Sequence, residues 1–349
     1  MRKTTLDKLP TQGIYTSTAI KNNPMNQPTA YLNKVCKLTS LLIFLVLCAV
    51  YEGTAQQDPQ YTQYMYNTQV INPAYVGSRE TLSFGVLGRS QWLNLEGAPQ
   101  TGTFTVNLPV GFYDNMGVGL SIVHDQIGPA SESNVVMDFA YAIHLSRNAV
   151  SKLSFGLKAG IDYLDINYQK LNIFDPNDPY FGSNVDGKIQ PQIGSGLYFN
   201  SERFYVGLSV PNFLNVQNFD KNSLQDQDLE NVAINRLHYF LISGYVFELN
   251  PNLKFKPATM MKVVSGAPLQ WDMSANFMLN EKFVFGASYR WNASISGLLG
   301  FQISDTVFTG IGYDYQSTAI EDYSDGSYEA MLRIDVFNRA ERIVAPRFF

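Results

Sequence analysis

Cysteine is scarce: 349 residues contain two, Cys36 and Cys48. Both lie in the first fifty residues, so the chain beyond them can form no disulfide framework, thiolate metal site or cysteine nucleophile. Charge is also thin. Only 16% of residues are charged, 25 basic against 30 acidic for a net of −5, with no long basic run. That composition excludes nucleic-acid binding through a basic patch. After residue 55 no apolar run is long enough to cross a membrane as a helix. The three histidines, His124, His144 and His238, fall on separate predicted strands without metal-ligand spacing. Asp175, Asp178 and Asp186 share one stretch, but "DPNDP" lacks the spacing and glycine of a calcium loop and reads as a solvated turn. No Ser/His/Asp grouping can be read from spacing. The sequence therefore predicts no enzyme, and no cofactor or metal is expected.

What is present begins with an export signal. Leu38 to Val50 reads LTSLLIFLVLCAV, preceded by Lys34 and Lys37 and followed by Gly53-Thr54-Ala55. A basic flank, a short apolar core and small residues before a cleavage site make a secretory signal peptide, shorter than a spanning helix. Residues 1–55 are read as this signal with an N-terminal extension, and Met25 is an alternative start. Cleavage after Ala55 would remove both cysteines.

Downstream, apolar and polar residues alternate with a period of two almost without pause. In Leu269 to Leu279, the odd positions Leu269, Trp271, Met273, Ala275, Phe277 and Leu279 are apolar, while Gln270, Asp272, Ser274 and Asn276 are polar. This is the strand period, and helical spacing does not fit it. About fourteen such segments follow one another between residues 81 and 337: 81–91, 101–109, 116–126, 134–145, 151–166, 190–199, 203–211, 236–248, 253–263, 269–279, 283–291, 294–304, 306–316 and 327–337. Their connections alternate between tight turns (VGFYDN, SRNAV, NSE, LNPN, NE) and longer loops (NLEGAPQ, 167–189, 212–235, QSTAIEDYSDGS). SGAP and Asn292-Ala293 are short connections at the long-loop end. Short turns at one end and long loops at the other predict an all-β, transmembrane antiparallel β-barrel of about fourteen strands, occupying residues 81–337. The less apolar face is rich in Gly, Ser and Asn, with a few charges of both signs. That suits a crowded interior better than the Lys- and Glu-rich solvated face of a soluble sandwich. Tyr163, Trp291 and Tyr315 sit at apolar strand ends, where an interfacial girdle needs them.

By strand parity Arg89, Lys158, Arg290, Arg333, Asp138, Asp162, Asp314, Glu329 and Asp335 face inward. Mixed signs predict lumen ion pairs rather than the single-sign constriction of a selective pore. Inward glycines Gly85, Gly156, Gly160, Gly286, Gly310 and Gly312 let other segments approach the wall. Both features predict a filled interior. Ahead of the first strand, residues 56–80 begin "QQDPQYTQYMYNTQVINPAYVGS", with one charge, Asp58, and four tyrosines. Asp58 and Pro59 are expected to start a short helix that puts Tyr61, Tyr64 and Met65 on one face, with Asn72-Pro73-Ala74 ending it. Low charge and high aromatic content argue against a disordered leader. The segment is expected to dock on or in the periplasmic mouth, as a periplasmic or plug element. Residues 338–349, "NRAERIVAPRFF" after Phe337, form a short tail.

The stretches "DPQYTQYMYNTQVINPAYVGS", "RSQWLNLEGAPQT", "YVGLSVPNFL", "RLHYFLISGYVFELNPNLKFKPATMMK", "GASYRW" and "APRFF" resemble the PorP/SprF family, in order and over essentially the whole mature chain. The resemblance implies an outer-membrane barrel of Bacteroidetes serving type IX secretion and gliding motility. Its partners would be the outer-membrane bilayer, periplasmic secretion components and secreted surface proteins such as adhesins. Two aromatic-rich surfaces outside the strands are candidate docking sites. One is Tyr61, Tyr64 and Tyr66 with the Arg347-Phe348-Phe349 tail, at the periplasmic end. The other is Tyr180, Phe181, Phe213 and Phe219 in the long loops. The rival reading is an outer-membrane transporter or porin for small hydrophobic molecules, which would need an apolar lumen pocket and a lateral opening.

Overall fold

The computed structural model describes residues 59–111, 115–146, 151–170, 184–214, 237–265 and 267–336. The signal segment, Asp58, Tyr180, Phe181, Phe219 and the 338–349 tail lie outside these residues.

Fifteen strands form one antiparallel sheet: β1 (Leu82–Ser90), β2 (Gln100–Val110), β3 (Met116–Ile127), β4 (Ala130–His144), β5 (Lys152–Ile166), β6 (Val185–Asn200), β7 (Phe204–Val210), β8 (His238–Tyr245), β9 (Phe247–Asn250), β10 (Leu253–Val264), β11 (Gln270–Leu279), β12 (Phe283–Arg290), β13 (Ser294–Ser304), β14 (Val307–Gln316) and β15 (Ser327–Val336). Consecutive strands pair except β8 with β9, which both pair with β10; β1 pairs with β15 and β10 with β11, so the sheet closes on itself. β9 continues β8 in the same register on β10, with Gly244 opposite Ala258 and Phe247 opposite Phe255. The interruption, at Val246, falls beside Pro257, which has no N–H to give the ladder. Counted as crossings of the wall, the barrel has fourteen strands.

Each predicted segment corresponds to one crossing. The largest differences are at the long-loop end. β4 begins at Ala130 and β6 at Val185, several residues earlier than the alternation suggested. Ser131, Glu132 and Ser133 interrupt the apolar pattern but still pair with Gln126, Asp125 and His124. The β3–β4 connection is therefore a tight turn at Gly128-Pro129, with Gly128 at φ 54°. Among the described residues, β6 pairs with β7 only from Ser195 to Asn200.

The apolar face points outward. Met137, Leu157, Ile161, Ile189, Leu241, Leu299 and Ile311 are exposed at mid-wall, although each is large and hydrophobic. Only a bilayer makes that arrangement favourable. Aromatics bound this band on both sides. Toward the long loops, Trp271 stacks on Trp291 at 6.1 Å and Tyr313 meets Tyr328 at 5.0 Å. Toward the short turns, a run of ring contacts passes from Tyr245 through Phe247, Phe255 and Phe277 to Phe285. These are the interfacial girdles expected of an outer-membrane barrel.

Leu241 lies on this outer face, flanked in the sheet by Leu208 and Met261. Leu241→Arg is expected to lower stability by about 2–4 kcal/mol if the site is at the bilayer midplane, and Leu241→Met by far less. Urea unfolding of the refolded barrel in lipid vesicles measures both.

Candidate functional site

Residues 59–80 lie inside the barrel as a plug. Their contacts trace one path. Gln60 to Gln63 bond to residues near the long-loop ends of the strands, Asn72 and Ala74 meet mid-wall, and Arg79 and Glu80 dock at the short-turn mouth. The chain thus descends the lumen before turning up into β1.

The local structure departs from the expected single helix. Pro59 to Asn67 is a series of turns, closed by Tyr66 N donating to Gln63 O and Asn67 N donating to Tyr64 O. The helix, α1 (Thr68–Ile71), starts later and has four residues. Asn72 then accepts from Ala74 N and opens a 3-10 turn, Pro73–Tyr75. Helices this short are unstable alone, so the wall supplies their caps. Glu329 of β15 accepts from Thr62 N at 2.9 Å and Gln63 N at 2.8 Å. Lys158 of β5 donates to Val70 O at 2.6 Å, and Ser209 of β7 donates to Ile71 O at 2.7 Å. A wall carboxylate thus satisfies plug amides, and a wall cation and hydroxyl satisfy the carbonyls at the end of α1.

Two arginines clamp the upper plug. Arg89 of β1 pairs with Asp314 at 2.6 Å and Glu329 at 3.0 Å while donating to Thr62 Oγ1 at 2.6 Å. Thr62 in turn donates to Asp314. Arg290 of β12 pairs with Asp272 at 2.5 Å and reaches Gln60 Oε1 and Tyr61 O. Lower down, Lys158 lies 3.6 Å from Asp138, and Asp335 takes Arg79 at 2.8 Å and Arg333 at 3.2 Å. Lys152 and Glu80 close the foot at 2.6 Å. Asp162 is buried on the inner face. The lumen residues picked out by parity are thus inward-facing, and the plug joins their ion pairs. Asp272, Arg79, Glu80 and Lys152 were missing from that set. Asp272 and Lys152 could be read by the same parity, whereas Arg79 and Glu80 precede the first strand and carry no alternation signal.

Between the charged layers lies an apolar and aromatic core. Tyr64, Met65, Ile71 and Tyr75 of the plug are buried with Tyr198, Tyr205, Phe240, Ile242 and Met260 of the wall. The inner face is therefore less polar than the alternation implied. Glycine admits the plug at its closest approaches. A side chain at Gly156 would stand 2.1 Å from Ala74 N, and one at Gly117 2.3 Å from Val76 O. Gly310 similarly faces Gln63, whereas Gly85, Gly160 and Gly286 face neighbouring wall residues instead. Among the described residues, two small spaces adjoin the plug, about 110 Å³ beside Tyr61 and Ile71 and about 30 Å³ beside Tyr66 and Asn67.

This placement corrects one expectation. Tyr61 and Tyr64 are 4% and 2% exposed, and Tyr66 packs on Phe308 at 5.1 Å inside the lumen. Tyr61 and Tyr64 are thus core residues of the plug with no free surface for a periplasmic partner, and the half-buried Tyr66 packs inside the lumen. Burial pushes the Tyr66 phenol up to about 12 and raises that of Tyr64 further. Of the long-loop candidates, Phe213 is described and is exposed.

A closed fourteen-strand wall with an apolar exterior and a protein-filled bore defines a plugged outer-membrane β-barrel. The model of the type IX secretion system membrane protein PorP/SprF matches residues 53–334, and the chain belongs to that family. A search of curated proteins by sequence returned no match. Among solved structures, the fold is similar to the CymD monoaromatic hydrocarbon channel, with 10% identity, a TM-score of 0.46, and coverage of 82% of this chain and 95% of that one. It is also similar to the Ralstonia pickettii toluene transporter TbuX (11% identity, TM-score 0.44, 82% and 96% covered) and to the NanC porin (10%, 0.35, 73% and 100%).

Arg89→Met strands two buried carboxylates and is expected to cost about 3–5 kcal/mol. Arg203→Met removes the exposed pair with Glu248 and is expected to cost less than about 1 kcal/mol. Urea unfolding compares the two, and limited proteolysis should cut the 59–78 segment faster only in the Arg89 variant.

Proposed function

We propose that this barrel serves type IX secretion and gliding as an anchoring and docking component rather than as an open conduit. The observation that carries this reading is the filled lumen, because a bore occupied by the chain's own plug suits a scaffold that presents its two ends. With the short turns in the periplasm, as in other outer-membrane barrels, secretion machinery would bind at that end. Secreted surface proteins such as adhesins would bind at the long-loop end. There the exposed Phe213 and Tyr323 are aromatic anchors of the kind that concentrate binding energy. With Tyr61, Tyr64 and Tyr66 committed to the plug, the Arg347-Phe348-Phe349 tail remains the periplasmic candidate. The transporter reading would require an apolar path to a lateral opening past the seated plug.

Co-purification of the tagged barrel from cross-linked native membranes tests the proposal. Phe213→Ala with Tyr323→Ala is expected to lose a surface protein while keeping periplasmic partners. Truncation of Arg347 to Phe349 is expected to do the reverse. Loss of the same partner by both variants, or of none by either, overturns the division between the two ends.

A further inference from the structure

The small cavity at the foot of the plug has an unusual lining. It lies between the plug residues Tyr66, Asn67 and Tyr75 and the wall strands β1, β2 and β15, with a volume of about 30 Å³. Three side-chain nitrogens of its lining have no hydrogen-bond partner among the described residues: Asn67 Nδ2, Asn107 Nδ2 and Arg333 Nη1. The Asn107 amide is oriented unambiguously, because its Oδ1 accepts from Gly77 N at 2.8 Å. Its Nδ2 is therefore a donor. Asn67 and Asn107 are 5% and 3% exposed, so bulk water does not satisfy them. Leaving buried donors unmatched costs about 1–3 kcal/mol each.

The charge balance points the same way. Arg79 and Arg333 both line the cavity and share one carboxylate, Asp335. Ser83 donates to the other oxygen of Asp335, at 2.7 Å, and accepts from Arg79 at 3.0 Å. No carboxylate is among the described lining residues. Two guanidiniums around one carboxylate make this end of the lumen favourable to a small anion.

We propose that this cavity is a binding site for one small monovalent inorganic anion of chloride size, which accepts from Asn67, Asn107 and Arg333 and ties the plug to the wall. A space that admits only a water molecule or two is too small for a peptide carboxylate or a phosphate. The anion would sit where plug and wall strands meet, so its occupancy bears on how firmly the plug is seated.

The test uses the full barrel in detergent. Its thermal transition is followed in sodium bromide and in sodium gluconate at equal ionic strength, and crystals grown in bromide are searched for anomalous density. The midpoint is expected to rise saturably with bromide and to stay level in gluconate, with one bromide within hydrogen-bond range of Asn107 and Arg333. Asn107→Asp keeps the acceptor for Gly77 N and places a fixed negative charge at the site. Its midpoint is expected to be insensitive to bromide. If that variant does not fold, Asn67→Asp is expected to behave in the same way. Equal midpoints in the two salts, a wild-type bromide response in the folded variant, or density showing only water in the cavity would overturn the proposal.

Discussion

Fourteen strands enclose a bore wider than the wall's own side chains can fill, and the rest of the structure follows from how that space is occupied. Smaller barrels close their interior with inward side chains alone. Here the chain ahead of β1 is threaded through the lumen, and the wall is shaped to receive it. Gly156 and Gly117 remove the side chains that would collide with Ala74 and Val76. Leu87, Leu298, Phe308 and Met331 supply apolar contacts for the plug aromatics. The outer face is left for the bilayer, and its exposed leucines and isoleucines are satisfied there.

A plug of turns and one short helix brings backbone groups into a low-dielectric space, where each must be paired. Strand ladders cannot do this, because their backbone groups are used in the wall. Charged and polar side chains therefore take the role. Glu329 serves two consecutive amides, and Lys158 and Ser209 serve the carbonyls of Val70 and Ile71. Buried ion pairs contribute little net stability, yet a missing partner is expensive. That asymmetry favours a single seating of the plug. Shifting the segment along the lumen would separate Arg89 and Glu329 from Thr62 and would break the Arg290 contacts with Gln60 and Tyr61.

The wall was legible because period-two alternation survives in nearly every strand, and inward parity for Arg89, Asp314 or Lys158 follows from it. Strand starts were lost where polar residues face the headgroup region, as at Ser131 to Ser133, since alternation carries no signal once both faces are polar. The break beside Pro257 was hidden for another reason: it depends on which residues lie across the ladder. The plug was only half legible. Its tyrosines and low charge marked it as ordered, but depth within the lumen is set by long-range pairings such as Thr62 with Glu329, which no local pattern encodes. For the same reason Tyr61 and Tyr64 looked like a docking surface from sequence and are core residues in the fold. The amides of Thr62 and Gln63 are capped by Glu329 on β15, a long-range partner that no local helix signal encodes.

The central claim is that the lumen is closed by the chain's own plug. Single-channel recording in planar bilayers tests it most directly, comparing the intact barrel with one lacking Pro59 to Ala74. The account predicts little stable current from the intact protein and a large, steady conductance once the segment is removed. Steady openings of similar size from both proteins would contradict it.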